Sequence, residues 1–289
     1  MQKVKRAFIK LGRFIKFLTA NFKGVLLFMF ILYLLAPTSK DSIVNANLVR
    51  INLGGAIMDA TKTLKEIEEA RKSKSIKGVL FVIDSPGGAV APSIEIAYAI
   101  KRLSSEKPVV SYAAGTMASG SYYAAIWSDQ IIANPGSLIG SIGVIMQGYN
   151  VEELLGKIGV KTQTAKAGAY KESGTMDRQW SKIERAEIEK VINNTYKMFI
   201  TDVASARQLD IRQEKKFADA HIFTSAGAQA VGLIDQVGTI ADATSKLKNL
   251  AHVKKIIWQE PSKLDNFVEK LSSSLSGSIQ TFFPALVLK

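Results

Sequence analysis

Two serines lie among small residues in the stretch GTMASGSYYAA, residues 115–125. Ser119 and Ser121 stand where a surface loop would hold more charge and a core helix would hold more leucine. A serine hydroxyl becomes a useful nucleophile when a base takes its proton and hydrogen-bond donors stabilise the oxyanion that forms. The stretch is therefore a candidate nucleophile site, and another part of the chain must supply the base.

Histidine, the usual partner of a catalytic serine, occurs only at His221 and His252. His221 follows a charged, helical stretch and His252 has a surface-like context, so we expect neither to be the base. Lysine is the alternative, because Ser-Lys pairs follow the same logic, provided that the lysine pKa falls well below its usual value of about 10.4. Lys171 in GAYKESG is one candidate among many lysines, and Glu172 would oppose the pKa shift if it pointed inward.

A glycine turn follows a strand-like run in IDSPGGAV, residues 83–90. Glycines there permit unusual dihedral angles and close approach, and they present backbone N–H groups at the carboxyl edge of a sheet. A plain strand-to-helix turn would have the same sequence. Its occurrence together with the serine stretch favours a part in the site.

The elements that must position these residues lie between Asn47 and about Gly148, where short β-branched runs alternate with helical stretches. This alternation predicts an α/β fold with a mostly parallel sheet and flanking helices. The capping box SKIE, residues 181–184, predicts the start of a long helix. The predicted strands are 48–55, 78–84, 108–114, 130–135 and 140–147, and the predicted helices are 59–74, 92–103 and a short one beginning near Ser119.

The charge of the chain is unevenly placed. Of the formal net charge of +13, seven positive charges and no negative charge fall in residues 1–23, and the apolar run GVLLFMFILYLLA follows. We interpret residues 1–23 as a basic cytoplasmic arm and residues 24–38 as a transmembrane signal anchor, with the rest of the chain on the extracytoplasmic side of the cytoplasmic membrane. A cleaved signal peptide is the alternative. Because over half of the excess charge lies beside this run, we expect no nucleic-acid partner.

The chain has no cysteine, which excludes disulfides, a thiolate nucleophile and cysteine-ligated metals. The Ser-rich and then apolar end of the chain is typical of an appendage, which we place at residues 246–289. The main domain would then be residues 47–245.

Five motifs occur in the order and approximate spacing of the signal peptide peptidase A family: DSPGG, GTMASGSYYAA, GSLIGSIGV, GAYKES and GLIDQVG. The chain resembles this family over roughly residues 47–245. Its members are membrane-anchored Ser-Lys proteases whose fold is like that of Clp protease and crotonase. The resemblance implies a Clp/crotonase-like sheet with flanking helices, an N-terminal membrane anchor, and no metal or organic cofactor.

Carried onto this sequence, the resemblance implies that Ser119 is the nucleophile and Lys171 the general base. Ser141 in GSIGV would hydrogen-bond and orient the lysine. The backbone N–H groups of Gly88 and Gly120 would form the oxyanion hole.

The sequence departs from the family pattern at two places. Ser121 replaces a glycine that is common after the Ser-Gly pair, which introduces a rival nucleophile two residues from Ser119. Ala220 and His221 stand where the family often has Gly-Arg, which concerns the local contacts there and not the catalytic pair.

The resemblance also implies substrates and partners. Family members degrade remnant signal peptides left in the lipid bilayer, and short single-domain forms assemble into homo-oligomeric rings, commonly octamers, in which neighbouring subunits complete the substrate groove. Two other functions remain open at this point: a catalytically silent membrane scaffold or chaperone on the same fold, and an acyl-CoA enzyme of crotonase type.

Overall fold

The computed structural model describes residues 21–35 and 46–259. Residues 46–258 form one compact unit, and the helix α1 (Phe22–Leu35) precedes it in the chain. Most of the predicted basic arm and the end of the predicted anchor lie outside the described residues. Within the described residues, none of the helices has the length and apolar character needed to cross a membrane.

The centre of the compact unit is a seven-stranded sheet in which the strands run in the order β1-β2-β3-β4-β7. β5 continues the sheet beside the last residues of β3, and β6 pairs with β5. Every pairing is parallel except β5 with β6, so the mostly parallel sheet is confirmed. The strands are β1 (Leu48–Gly54), β2 (Gly78–Ser85), β3 (Val109–Ala118), β4 (Gln130–Ala133), β5 (Leu138–Gly140), β6 (Ile222–Thr224) and β7 (Gln236–Val237).

Helices connect and flank these strands. Besides α1 and a short 3-10 turn at Ile211–Gln213, they are α2 (Thr61–Lys72), α3 (Val90–Ser104), α4 (Gly120–Ala125), α5 (Glu152–Lys157), α6 (Lys182–Arg207), α7 (Glu214–Phe217), α8 (Ser225–Ala230) and α9 (Ile240–Leu250). α6 begins at the predicted capping box, where the Ser181 hydroxyl accepts the Glu184 N–H and the Glu184 carboxylate accepts the Ser181 N–H.

Successive side chains of a strand point to opposite faces of the sheet. In this sheet both faces are buried, each by its own hydrophobic cluster. Phe81 and Ile83 of β2 belong to the larger hydrophobic core cluster, which also contains residues of α2, α3, α4 and α6. Leu80 points the other way, into a smaller cluster with Val110 and with Leu247 of α9. Burying a side chain of this size stabilises a fold by about 1.5 to 3 kcal/mol. The continuous apolar run of β2 follows from burial on both faces.

One sequence prediction needs correction. The strand predicted over residues 140–147 is wrong: the ladder includes Leu138–Gly140 and stops, and residues 141–147 form no strand. The compact unit extends to Trp258. Residues near its end complete the fold, because Leu247 is buried and Trp258 forms a bridge with Leu48.

The parallel strands bring the candidate site residues to one edge of the sheet. β2 ends just before the glycine turn at Gly87 and Gly88, β3 ends just before Ser119, and β5 ends just before Ser141. The carboxyl ends of parallel strands lie at the same edge, which is where α/β proteins commonly bind ligands. The fold thus gathers three separate sequence motifs.

Candidate active site

Ser119 lies in the sharp turn between β3 and α4. Its backbone has φ 54° and ψ −125°, a conformation that L-residues rarely adopt. Two hydrogen bonds hold the turn: the Ser119 N–H donates to the Gly140 carbonyl at 2.7 Å, and the Ser119 carbonyl accepts the Tyr123 N–H at 3.0 Å. Strain of this kind persists only where the surroundings impose it, and it is concentrated at functional sites.

Two backbone N–H groups are available beside this turn. Gly88 forms an isolated parallel bridge with Ile57, in which the Ile57 N–H donates to Gly87 and the Ile57 carbonyl accepts the Ala89 N–H, at 2.9 and 2.7 Å. The flanking residues therefore make the bridge, and the N–H of Gly88 itself points away from Ile57. Gly120 is the first residue of α4, where a helix has no internal acceptor for its N–H. Within the described residues, neither N–H has a backbone acceptor.

The close packing of the two turns requires glycine. Gly87 has φ +96°, and a Cβ atom there would lie 2.6 Å from the Gly120 nitrogen and 2.9 Å from the Ser119 Cβ. A Cβ atom at Gly120 would collide with the Ser93 hydroxyl and would lie 3.4 Å from the Gly88 nitrogen. The N–H groups of Gly88 and Gly120 thus lie close to one another beside Ser119.

A cleft of about 480 Å³ opens next to Ser119. One wall is α6, which contributes apolar side chains that include Ile192 and Phe199. Phe199 stacks on Tyr123 of α4 at 4.5 Å between ring centroids, and the Tyr123 hydroxyl donates to Asp202 at 2.5 Å. A largely apolar cleft with a few polar groups is the usual form of a site for apolar ligands.

Ser121, the rival nucleophile, is completely buried. Its hydroxyl donates to the Ser85 carbonyl at 2.6 Å and accepts the Ala118 N–H at 2.9 Å. These bonds tie the end of β2 to the end of β3. The Ser121 hydroxyl is therefore a structural group that is not available to attack a substrate.

Ser141 lies in the same cleft as Ser119. Its backbone is also left-handed, with φ 49°, and its N–H donates to the His221 carbonyl at 2.7 Å. Among the described residues, the hydroxyl groups of Ser119 and Ser141 form no hydrogen bond, which leaves both free for a ligand or a further side chain.

Lys171 lies elsewhere. It is exposed, in a segment of turns between α5 and α6, and it is not among the residues that line the cleft. The single chain therefore brings together Ser119, Ser141 and the two glycines of the predicted site, and does not bring Lys171 to them.

The histidines lie outside the cleft lining, and both are exposed. In the described part of the chain, no group of three or more histidine and acidic side chains is placed to hold a metal ion. Sequence reasoning missed two features of the site: the Tyr123–Asp202 hydrogen bond, and the left-handed backbone of Ala220 in the cleft wall, with φ 57°. The second has a sequence signal, because the family often has glycine at that position.

A serine in a strained strand-to-helix turn, next to two available N–H groups and an apolar cleft, defines the type of site found in serine hydrolases. Residues 101–254 match the model of peptidase family S49. The chain belongs to this family of peptidases, and the resemblance predicted from the five motifs is confirmed.

Individual relatives agree with this assignment. A candidate protease of Methanocaldococcus jannaschii is 41% identical over 195 residues, which are 68% of this chain and 63% of the relative. A candidate protease of Synechocystis is 39% identical over 71% of this chain and 74% of the relative. A protein of Enterococcus faecium named as a candidate signal peptide peptidase SppA is 32% identical over 73% and 65%. The match thus spans less than two thirds of the length of two of these three relatives.

Proposed function

We propose that this protein is a membrane-anchored serine endopeptidase that degrades remnant signal peptides and other membrane-associated peptides. The observation that carries the proposal is Ser119 in its strained turn, next to the N–H groups of Gly88 and Gly120 and open to an apolar cleft. Signal peptides have apolar cores that suit such a cleft. The name of the Enterococcus faecium relative supports the same choice of substrate.

In the proposed reaction the Ser119 hydroxyl attacks the carbonyl carbon of the scissile peptide bond while Lys171, as a neutral amine, takes its proton. The oxyanion accepts hydrogen bonds from Gly88 and Gly120. The lysine then donates its proton to the leaving amine, and an acyl-enzyme remains on Ser119. A water molecule, deprotonated by the same lysine, hydrolyses that ester and regenerates the serine. Ser141 orients the lysine.

The base is proposed to act between subunits, because Lys171 is exposed and does not line the cleft of its own chain. A homo-oligomeric ring, expected as an octamer from the family resemblance, would bring Lys171 of one subunit to Ser119 of another. Large apolar side chains are also exposed in the segment between β5 and α5, among them Ile145 at 85% and Tyr149 at 77%. Exposed apolar surface of this kind is typical of a protein interface.

The anchor is proposed from the sequence. The basic arm of residues 1–23 precedes the apolar run that begins at Gly24, and positive charge before such a run favours a cytoplasmic N-terminus. The catalytic unit would then lie on the extracytoplasmic side of the cytoplasmic membrane, next to peptides that remain in the bilayer.

The test is hydrolysis of a fluorogenic signal-peptide-like substrate by the full chain in detergent micelles. Ser119→Ala and Lys171→Ala should each lower kcat/KM by at least about a thousandfold, whereas Ser121→Ala should retain activity. Mixing the two inactive variants before assembly should restore turnover, because some interfaces then combine an intact serine with an intact lysine. An active Lys171→Ala variant would refute the dyad. A wild-type chain that neither turns over substrate nor reacts with a serine-directed probe would favour the scaffold alternative.

A further inference from the structure

Four charged side chains form a hydrogen-bonded cluster on the segment that contains Lys171 and on the first turn of α6, which follows it. Arg178 donates to both carboxylate oxygens of Glu184, at 2.9 and 2.8 Å, and also to Glu172 at 2.9 Å. Lys166 donates to the same oxygen of Glu172 at 2.5 Å. We call these four residues, Lys166, Glu172, Arg178 and Glu184, the Arg178 clamp. It connects the residue next to Lys171 to the first turn of α6.

The geometry of the clamp distinguishes it from an ordinary surface ion pair. The Glu184 side chain is 2% exposed, and its carboxylate also accepts the Ser181 N–H at 2.8 Å as part of the capping box. A two-pronged arginine–carboxylate contact on such an anchored acceptor fixes orientation as well as distance. Most exposed ion pairs are mobile and contribute little. The clamp thus gives the Lys171 segment a fixed attachment to a long helix.

The clamp also balances charge around Glu172. The Glu172 carboxylate faces Lys166 and Arg178, and Arg178 in turn faces Glu184, so two cations match two anions. The hydrogen bonds from Lys166, Arg178 and Thr164, in decreasing order of effect, lower the pKa of Glu172 to about 2. Asp177, the other carboxylate of this segment, is held by the Thr175 hydroxyl. Among the described residues, the Lys171 ammonium forms no ion pair.

We propose that the Arg178 clamp positions Lys171 for catalysis by tying the Glu172 carboxylate back to α6 and away from the Lys171 ammonium. This inference rests on the proposed function, in which Lys171 is the general base. A general base must be neutral to accept a proton, and a free carboxylate on the next residue would favour its charged form. Arg178 and Glu184 are thus positioning residues that reduce the influence of the acidic neighbour of Lys171.

The test is the pH dependence of kcat/KM for the full chain, whose acidic limb reports the pKa of the base in the free enzyme. Arg178→Gln leaves Glu172 with one cation partner, so the limb should move to higher pH by about half to one pH unit. Glu172→Gln leaves Lys166 and Arg178 with Glu184 as their one anionic partner in the clamp, so the limb should move in the opposite direction, to lower pH. The double variant should return the limb to the position of the wild type.

Arg212→Gln is the matched control. Arg212 also donates to both oxygens of a carboxylate, that of Asp210, but it lies in another segment and its side chain is 86% exposed. This variant should not move the limb. Arg178→Lys keeps the positive charge and loses the two-pronged contact with Glu184. This variant should fold, and it should shift the acidic limb less than Arg178→Gln does.

The outcomes separate this inference from the function on which it rests. An active Lys171→Ala variant overturns both. An inactive Lys171→Ala variant, together with Arg178→Gln and Arg178→Lys profiles that keep the wild-type limb, overturns the inference alone. A shift of the Glu172→Gln limb to higher pH also overturns it, because removing a negative charge beside the base should favour its neutral form. A uniform fall in kcat at every pH, not relieved in the double variant, would assign the clamp a purely structural role.

Discussion

Ser119 and Ser121 are two residues apart, and substitutions at them should have opposite consequences. Ser121→Ala removes a buried hydroxyl that bonds to the Ser85 carbonyl and the Ala118 N–H. Each buried backbone group left without a partner costs about 1 to 3 kcal/mol, so the loss of two partners should lower the free energy of unfolding by about 2 to 6 kcal/mol. For a unit of this size, that corresponds to a decrease in Tm of about 4 to 24 °C.

Ser119→Gly should instead stabilise the fold. The left-handed backbone at φ 54° costs a residue with a Cβ atom about 1 to 3 kcal/mol, and glycine removes that cost. The greater freedom of glycine in the unfolded chain offsets about 0.5 to 1 kcal/mol of the gain. A net stabilisation of about 0.5 to 2 kcal/mol is therefore expected, together with complete loss of hydrolysis.

The assay measures both quantities for each variant: urea unfolding followed by tryptophan fluorescence, and substrate hydrolysis at 20 °C, where both variants remain folded. Ser121→Ala should retain kcat/KM within about tenfold of wild type. The reasoning is refuted if Ser121→Ala loses more than about a thousandfold in kcat/KM while folded, or if Ser119→Gly is less stable than wild type.

Three further predictions concern the cleft and the clamp. Tyr123→Phe keeps the ring stacked on Phe199 and removes the hydrogen bond to Asp202. The KM for substrates with large apolar side chains should therefore rise while kcat stays nearly unchanged. Steady-state kinetics on a peptide series measure both constants, and a fall in kcat would contradict this prediction. The pKa of Glu172 is lowered from 4.5 to about 2, so the stability that its carboxylate contributes is complete above pH 4.5 and is lost as the pH falls toward 2. Thermal melts should show that the Tm difference between wild type and Glu172→Gln shrinks over that range. A Tm difference that stays constant would contradict the proposed electrostatic role of the clamp. Ala220→Gly relieves a left-handed backbone and should stabilise the fold by about 0.5 to 1 kcal/mol in urea unfolding; a destabilised variant would show that the Ala220 methyl group contributes more by packing than it costs in strain.

The sequence predicts much of the sheet because a strand that is buried on both faces has a continuous run of apolar, often β-branched residues. The apolar run predicted as a strand at 78–84 corresponds to β2 at Gly78–Ser85, and the capping box at Ser181 begins α6 as expected. The run GSIGVIMQ fails because its apolar residues suggest a strand, yet only Leu138–Gly140 finds a ladder partner in β3. Ile145 is then left almost fully exposed. A local sequence pattern shows that a segment has the composition of a strand. It does not show whether a neighbouring strand has a free edge with which the segment can pair.

Some residues of the candidate site can likewise be predicted from the sequence, and others cannot. The family motifs predict Ser119, Gly88 and Gly120, which lie in the turns after β2 and β3, where close packing requires small residues. The bond between Tyr123 and Asp202 joins residues 79 positions apart, and no periodicity links them. The family motifs predict Lys171 as the base, and the fold of the single chain does not place it in the lining of the cleft.

The two ends of the compact unit are joined side by side. Asn47 donates its backbone N–H to the Ile257 carbonyl at 2.9 Å and its side-chain amide to the Lys255 carbonyl at 2.8 Å, while its side-chain oxygen accepts the Ile257 N–H at 2.9 Å. The unit is therefore nearly a closed ring of polypeptide, with its beginning and end at one point. A circular permutant that links residue 258 to residue 46 through a few residues, and opens the chain at an exposed turn instead, should preserve the sheet and the serine turn together.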